Sequence, residues 1–260
     1  MKLAILIDPE KVSDKTGRLI DLMSVNPPDF VFVGGSTGSA MDALIKLLKE
    51  RVKAPVVLFP GNVEQVSEAA DALMFLSLIS GRNPEYLIGS HVKAAANLRN
   101  TKLKVVPVGY ILVGGGKVSA VERVSGTQPI PATETEIIVN TALAGQLLGM
   151  QYIYLEAGSG AKNRVPDSVI TAVKNAIRIP LIVGGGIKTS EELQSVSAAG
   201  ADIAVIGNAL ETNPELYVEL NYAASESRSE TCFSYAERSK YYSGQALINT
   251  SRKGEALTYS

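Results

Sequence analysis

An α/β chain folded as a single (β/α)8 barrel of the TIM type is predicted by three observations. Eight short apolar runs rich in β-branched residues recur along the 260 residues, each followed by a turn signal and a segment of helical period. The runs are apolar on successive residues instead of alternating, the pattern of parallel strands covered on both faces. A length near 250 is ordinary for one barrel of this kind, so a second domain is not required.

In chain order the runs are Lys2 to Ile7, Phe30 to Val33, Val56 to Phe59, Leu73 to Leu76, Lys104 to Val108, Tyr152 to Leu155, Leu181 to Val183 and Ile203 to Ile206. A doubly wound open sheet uses the same alternation, but eight units favour closure. Between the runs, Ala40 to Arg51 carries Met41, Leu44, Ile45 and Leu48 at helical spacing. Pro84 to Leu98 and Glu191 to Ala199 read similarly, with Pro84 suited to a first helical turn. After the third strand, Gly61 to Ala70 predicts a short, irregular helix. Gly114, Gly115 and Gly116 make Ile111 to Arg123 a loop or small hairpin before a helix near Glu134 to Leu148. Val-Gly-Gly recurs from Val33, Val113 and Val183, as repeated βα units would place it. From Asn221 the apolar stripe is lost amid Ser, Thr, Glu and Arg. The expected organisation is therefore a barrel over 1–220 and a poorly structured C-terminal tail over 221–260.

Composition removes several function classes. With 25 basic and 26 acidic residues the formal charge is -1, and no basic stripe invites a nucleic acid. The single cysteine, Cys232, cannot form an internal disulfide or a cysteine zinc cluster, which suits a reducing cytoplasm. The single histidine, His91, excludes a histidine-rich metal site. No stretch approaches the ~20 apolar residues of a membrane span, and the first run is too short for a signal-peptide core. A soluble, cytoplasmic protein is expected.

The chemistry of such a barrel belongs at the carboxyl ends of its strands, with phosphate often held by the loops after strands seven and eight. Those loops here are Gly184-Gly185-Gly186 before the helix near Ser190, and Gly207-Asn208. Glycines allow close approach of backbone N–H groups to a phosphate, and a helix start adds unpaired donors. Ordinary tight βα turns would look the same at either place alone. On the sixth strand, Tyr154 and Glu156 lie two residues apart and so face the same side. A phenol and a carboxylate there suit a polyol, and Gly158-Ser159-Gly160 can offer donors to an attached phosphate. A structural tyrosine and a lysine-paired glutamate are the plain alternative. Asp8, at the end of the first strand, is a hard oxygen ligand suited to Mg²⁺, with Ser36 as a neighbouring hydroxyl. Both also fit as a turn former and a helix cap. His91, two turns into its helix, is assigned packing or capping, and Cys232 has no activating partner in view.

Taken together and in order, LIDPEK (Leu6 to Lys11), FVGGS (Phe32 to Ser36), FPGN (Phe59 to Asn62), FLSLISGRNPEYLIGSHV (Phe75 to Val92), YIYLEAGSGA (Tyr152 to Ala161), VGGGIKT (Val183 to Thr189) and GNAL (Gly207 to Leu210) resemble the geranylgeranylglyceryl phosphate synthase family, which includes bacterial heptaprenylglyceryl phosphate synthases. The likeness spans about Lys2 to Leu210 and ends at Asn221, where family members would carry a further amphipathic helix. It implies an enzyme that joins an allylic polyprenyl diphosphate, geranylgeranyl diphosphate foremost, to sn-glycerol-1-phosphate by an ether bond. By this resemblance Asp8 and Ser36 hold Mg²⁺ on the diphosphate. Tyr154, Leu155, Glu156, Ala157, Gly158, Ser159 and Gly160 bind glycerol phosphate, and Gly185, Gly186, Gly207 and Asn208 close on its phosphate. Glu156, helped by Tyr154, is the candidate to orient the attacking hydroxyl or take its proton. Phe75, Leu76, Leu78, Ile79, Tyr86, Leu87 and Ile88 supply material for a prenyl groove, with Tyr86 as its floor; core packing accounts equally for most of them. A homo-oligomer, transient membrane contact for the lipid product and no nucleic-acid partner complete the expectation.

Two other readings use the same loops. A phosphosugar isomerase or aldolase would need an acid/base or Schiff-base lysine at a strand end, for which only Lys11, Lys188 and Lys104 come into view. A non-catalytic phosphoglycerol-binding protein would keep the glycines and leave Asp8 idle.

Overall fold

The computed structural model describes residues 1–34, 39–61 and 66–226, and its eight strands are all parallel and close on themselves in sequence order. They are β1 (Lys2–Ile7), β2 (Phe30–Gly34), β3 (Val56–Phe59), β4 (Ala72–Leu78), β5 (Lys104–Leu112), β6 (Tyr152–Glu156), β7 (Leu181–Gly184) and β8 (Ile203–Ile206). Closure is made by Lys2 to Ile5 of β1 pairing with Ile203 to Ile206 of β8. Every predicted run is a strand. Alternation within each run now has a use at both faces: Ala4, Phe32, Val57, Met74, Val108, Tyr154, Ile182 and Val205 fill the barrel, while Leu3, Ile5, Val31, Val33, Ile153, Leu155, Val183 and Ala204 pack under the helices. β4 and β5 run further than their apolar runs because Ser77 and Gly109 interrupt the pattern but still pair.

The helices are α1 (Asp14–Val25), α2 (Ser39–Arg51), α3 (Ser90–Leu98), α4 (Ala120–Ser125), α5 (Thr135–Leu147), α6 (Asp167–Ala176), α7 (Ser190–Ala198) and α8 (Asn208–Thr212). The segment expected to be one helix from Pro84 is instead a π-helical turn, Glu85–Gly89, followed by α3. Within that turn the Leu87 carbonyl accepts the Ser77 hydroxyl at 2.8 Å, and such turns often sit at functional sites. The hairpin alternative for Ile111 to Arg123 is not taken: β5 ends at Leu112, and Ser119 caps α4 through a reciprocal pair with Glu122.

One expectation falls partly outside the described residues and one boundary is corrected. The short helix expected over Gly61 to Ala70 includes residues 62–65, which lie outside the described residues. Only Val57 and Leu58 of β3 pair with β4, so the upper half of β4 makes no ladder with β3. At the other end, residues 216–226 form a helix, α9, so the boundary drawn at 220 falls inside an element. Tyr217, Leu220, Ala223 and Ala224 are buried, and the Ser- and Glu-rich composition hides this short stripe. The Asn26 carbonyl, just past α1, accepts both the Tyr217 hydroxyl at 2.6 Å and the Asn221 amide at 3.0 Å. Residues 227–260, Cys232 among them, lie outside the described residues.

This double acceptor ties the last helix to the first. Tyr217→Phe should cost about 1 kcal/mol, a fall in Tm of about 2–4 °C. Adding Asn221→Ala removes the second donor; Asn26 is exposed, so water can take its place at the carbonyl, and thermal unfolding followed by circular dichroism should show a further loss of about 1 kcal/mol or less.

Candidate active site

The carboxyl ends of the strands enclose two cavities that share a wall. The first, of about 370 Å³, is rimmed by Glu156, Ser159, Gly185, Gly186, Gly207 and Asn208. The second, of about 610 Å³, is apolar and runs past Leu76, Leu78 and Tyr86 toward His91, Ala94 and Leu98 on α3. Phe59, Tyr110, Ala120 and Val121 line both. The larger cavity opens where β4 runs on beyond its pairing with β3.

Glu156 is the centre of the polar cavity. Its side chain is buried, and Oε1 accepts the Gly158 amide at 2.7 Å. Burial pushes its carboxyl above the usual range, opposed by the Tyr154 hydroxyl and the Gly158 amide. As period two requires, Tyr154 points the same way, fully buried beneath the cavity. Its hydroxyl makes no hydrogen bond of good geometry, although it lies beside Glu156 closely enough to interact. Desolvation, then the Glu156 charge, holds the Tyr154 and Tyr110 phenols far above their ordinary values, so both stay protonated.

The glycine loops converge as the sequence suggested. Gly158, Gly160, Gly185 and Gly186 all have left-handed backbone, with φ of 104°, 68°, 81° and 77°. At Gly185 the requirement is double, because a Cβ there would also strike the Glu156 carboxylate. Ser159 Oγ donates to Asn208 Oδ1 at 2.7 Å, tying the β6 loop to the β8 loop. Leu155 and Ala157, between these residues, turn their side chains outward into the helix-facing shell, so only their backbone faces the site.

Asp8 stands at the rim of the mouth. Its Oδ1 accepts the Glu10 amide at 3.0 Å, and Oδ2 lies 3.6 Å from Lys11 Nζ, which also bonds Glu211 at 3.2 Å. The turn-forming role is thus realised, with one carboxylate oxygen turned toward a cation. Ser36 lies outside the described residues. Tyr86 lines the apolar cavity, its hydroxyl donating to the Val124 carbonyl of α4 at 3.0 Å. Phe75, Leu76 and Leu78 line it too, whereas Ile79, Leu87 and Ile88 do not. His91 is packed edge-on to Phe75 at 4.3 Å, as expected, but also borders this cavity; desolvation lowers its pKa, so it is neutral at pH 7.

Sequence reasoning missed Phe59, Tyr110 and Val121 as shared walls, and treated Lys188 only as a rival's lysine. Lys188 lines the polar cavity four residues beyond β7, its Nζ 3.4 Å from the Lys162 carbonyl. Its place directly after Gly-Gly-Gly-Ile was the available signal. The isomerase or aldolase reading finds no support: Lys11 is engaged with Glu211, Lys188 is on an exposed loop, and Lys104 begins β5 at the opposite end of the barrel.

The raised Glu156 carboxyl carries a stability cost with a definite sign. Between the ordinary carboxylate range and the raised value, the folded chain binds more protons than the unfolded one, so stability falls as pH rises through that window. Glu156→Gln keeps an acceptor for Gly158 and removes the charge. Its Tm at pH 7 to 8 should exceed the wild type's by about 2 °C or more, with the difference vanishing at acid pH.

Residues 1–224 match the PcrB family. The geranylgeranylglyceryl phosphate synthase of Zunongwangia profunda is 49% identical over 211 residues, which cover 80% of this chain and 90% of that protein. The enzyme of the same name from Spirosoma linguale is 43% identical over 220 residues, covering 84% and 88%. Among solved structures, the crystal structure of (S)-3-O-geranylgeranylglyceryl phosphate synthase from Thermoplasma acidophilum in complex with its substrate sn-glycerol-1-phosphate superposes with a TM-score of 0.79 at 35% identity, covering 87% of this chain and 92% of that one.

Proposed function

Because this chain belongs to the PcrB family, we propose that it is a prenyltransferase that joins an allylic polyprenyl diphosphate to sn-glycerol-1-phosphate through an ether bond and releases diphosphate. The observation that carries this reading is the pair of joined cavities. One is long and apolar, fit for an isoprenoid tail; the other is lined by a buried carboxylate and left-handed glycine loops, fit for a phosphorylated polyol. The two substrates meet beside Glu156.

The chemistry follows from that placement. The C1–O bond of the donor breaks with both electrons leaving on diphosphate, and positive charge develops on the allylic carbon. A glycerol hydroxyl oxygen supplies the electron pair of the new bond, and its proton passes to the Glu156 carboxylate. A carboxylate whose proton affinity burial has raised is a better base at neutral pH than an exposed one. Tyr154 lies beneath that carboxylate, while Gly158 donates its amide to it. The phosphate is received by the β6, β7 and β8 loops, with Lys188 as the cation beside them.

We assign Mg²⁺ to Asp8 and Ser36. Asp8 fits as a hard oxygen donor at the end of β1, although Oδ1 now accepts the Glu10 amide and Oδ2 faces Lys11, which would have to yield to the ion. Among the described residues no group of three acidic, histidine or cysteine side chains assembles, so its remaining ligands would be substrate oxygens and water. Mg²⁺, when bound, neutralises diphosphate as it leaves. A C20 donor is favoured, with the protein acting in the cytoplasm as a homo-oligomer and its lipid product reaching a membrane by transient contact. No helix among the described residues is long and apolar enough to cross one.

Incubation with sn-glycerol-1-phosphate, a ladder of prenyl diphosphates and Mg²⁺, read by mass spectrometry, should yield the ether with C20 preferred. No product from any donor would refute the proposal, and activity unchanged after EDTA treatment would refute the Mg²⁺ assignment. Glu156→Gln should lower kcat by about a hundredfold, with the acid limb of the pH profile lost.

Donor length offers a separate measurement. Tyr86 stands in the wall of the apolar cavity, and Tyr86→Ala should open space there unless its neighbours collapse inward. The ratio of kcat/KM for C35 over C20 donors should rise by about tenfold; an unchanged ratio in a folded variant places the floor elsewhere.

A further inference from the structure

We propose that Tyr110, with Phe59 beside it, is the aromatic seat of the allylic carbon, its ring face stabilising the positive charge that develops as diphosphate departs. This inference rests on the prenyl-transfer reading above.

Position comes first. An atom that passes from one substrate to the other has to stand where the two cavities meet, and the shared wall consists of Phe59, Tyr110, Ala120 and Val121. Only Phe59 and Tyr110 among these offer a π face. Arrangement is the second observation. Tyr110 and Phe59 lie 6.2 Å apart, Tyr110 and Tyr154 5.2 Å, and Phe59 and Tyr154 5.6 Å. Interplanar angles of 55°, 59° and 60° make the three rings a corner instead of a stack. Tyr154 lines the polar cavity alone, so Tyr110 and Phe59 are the two rings that face both substrates.

Charge and solvation supply the third. None of the four shared residues is ionised, and the Tyr110 ring is buried, so little water screens its quadrupole. Tyr110 sits on the inward register of β5, opposite Tyr154 of β6, which fixes the ring from both neighbouring strands. No bond forms to the tyrosine. The C1–O electron pair leaves with diphosphate, the ring polarises toward C1, the glycerol hydroxyl oxygen closes the new bond, and its proton goes to Glu156.

The test keeps shape constant and varies the ring face. Tyr110→Phe is compared with variants in which position 110 carries phenylalanine bearing one, two or three ring fluorines, which withdraw charge from the face stepwise. Two quantities are measured: the single-turnover rate of transfer from geranylgeranyl diphosphate to sn-glycerol-1-phosphate with Mg²⁺, and the Kd of unreactive geranylgeranyl thiolodiphosphate. The rate should fall with each fluorine, by about tenfold across the series, while Kd stays within about twofold. A flat rate, or a loss mirrored wholly in Kd, overturns the proposal. Should the position-110 proteins fail to fold, the same series at Phe59 is read by the same criteria. Wild-type protein that makes no ether refutes the underlying function; an active wild type with a flat series refutes only the role of Tyr110.

Discussion

A carboxylate buried at the mouth of the barrel is the interaction on which the rest of the site depends. Glu156 sits at the end of β6, where among the described residues no lysine or arginine is paired with it, so its surroundings are arranged to tolerate it. The chain turns at Gly158 to aim an amide at Oε1, and Gly185 lacks the Cβ that would strike the carboxylate. Tyr154 is held beneath it by the same strand. Each of these accommodations also shapes the loops that face the polar cavity. The cost of burial and the geometry of binding are therefore one structural problem.

The second cavity has a different origin, in a short strand pairing. Seven of the eight strand pairs run for three residues or more, but β3 and β4 share only two. Phe59 at the end of β3 and the upper half of β4 line an apolar trough that α3 closes from the outside. The π-helical turn before α3 brings Tyr86 against α4 through the Val124 carbonyl, so the wall between trough and mouth is made by contacts distant in sequence.

At the far end of the chain, α9 and α1 are joined through one carbonyl oxygen, that of Asn26. This contact lies away from the mouth and supports the shell instead of the chemistry. It matters because closure of a parallel barrel depends on β1 and β8 meeting, and α1 and α8 with α9 are the elements that flank that seam. Lys11 to Glu211 and Arg18 to Glu215 reinforce the same junction from the surface, where screening leaves such pairs modest worth.

Much of this was determined by the sequence alone. The two-sided burial of a parallel strand needs an unbroken apolar run, so all eight strands were legible, and the barrel with them. Tyr154 and Glu156 share a face because the period of a strand is two, and left-handed turns need glycine, so Gly158, Gly160, Gly185 and Gly186 were legible as loops. The motifs added the family. What only the tertiary structure decided depends on residues far apart in the chain. Tyr110 and Phe59 look like core on their own strands, and they become a shared wall only when β3 and β5 are brought to one mouth. Lys11 is an ordinary loop lysine until β1 meets β8 and Glu211 arrives beside it. The helix that crosses residue 220 escaped local pattern because a short, mixed segment carries little periodicity, and packing against the whole barrel settles whether such a segment folds. Local physics wrote the strands and turns; the spaces between them, where the chemistry resides, exist only once the barrel has closed.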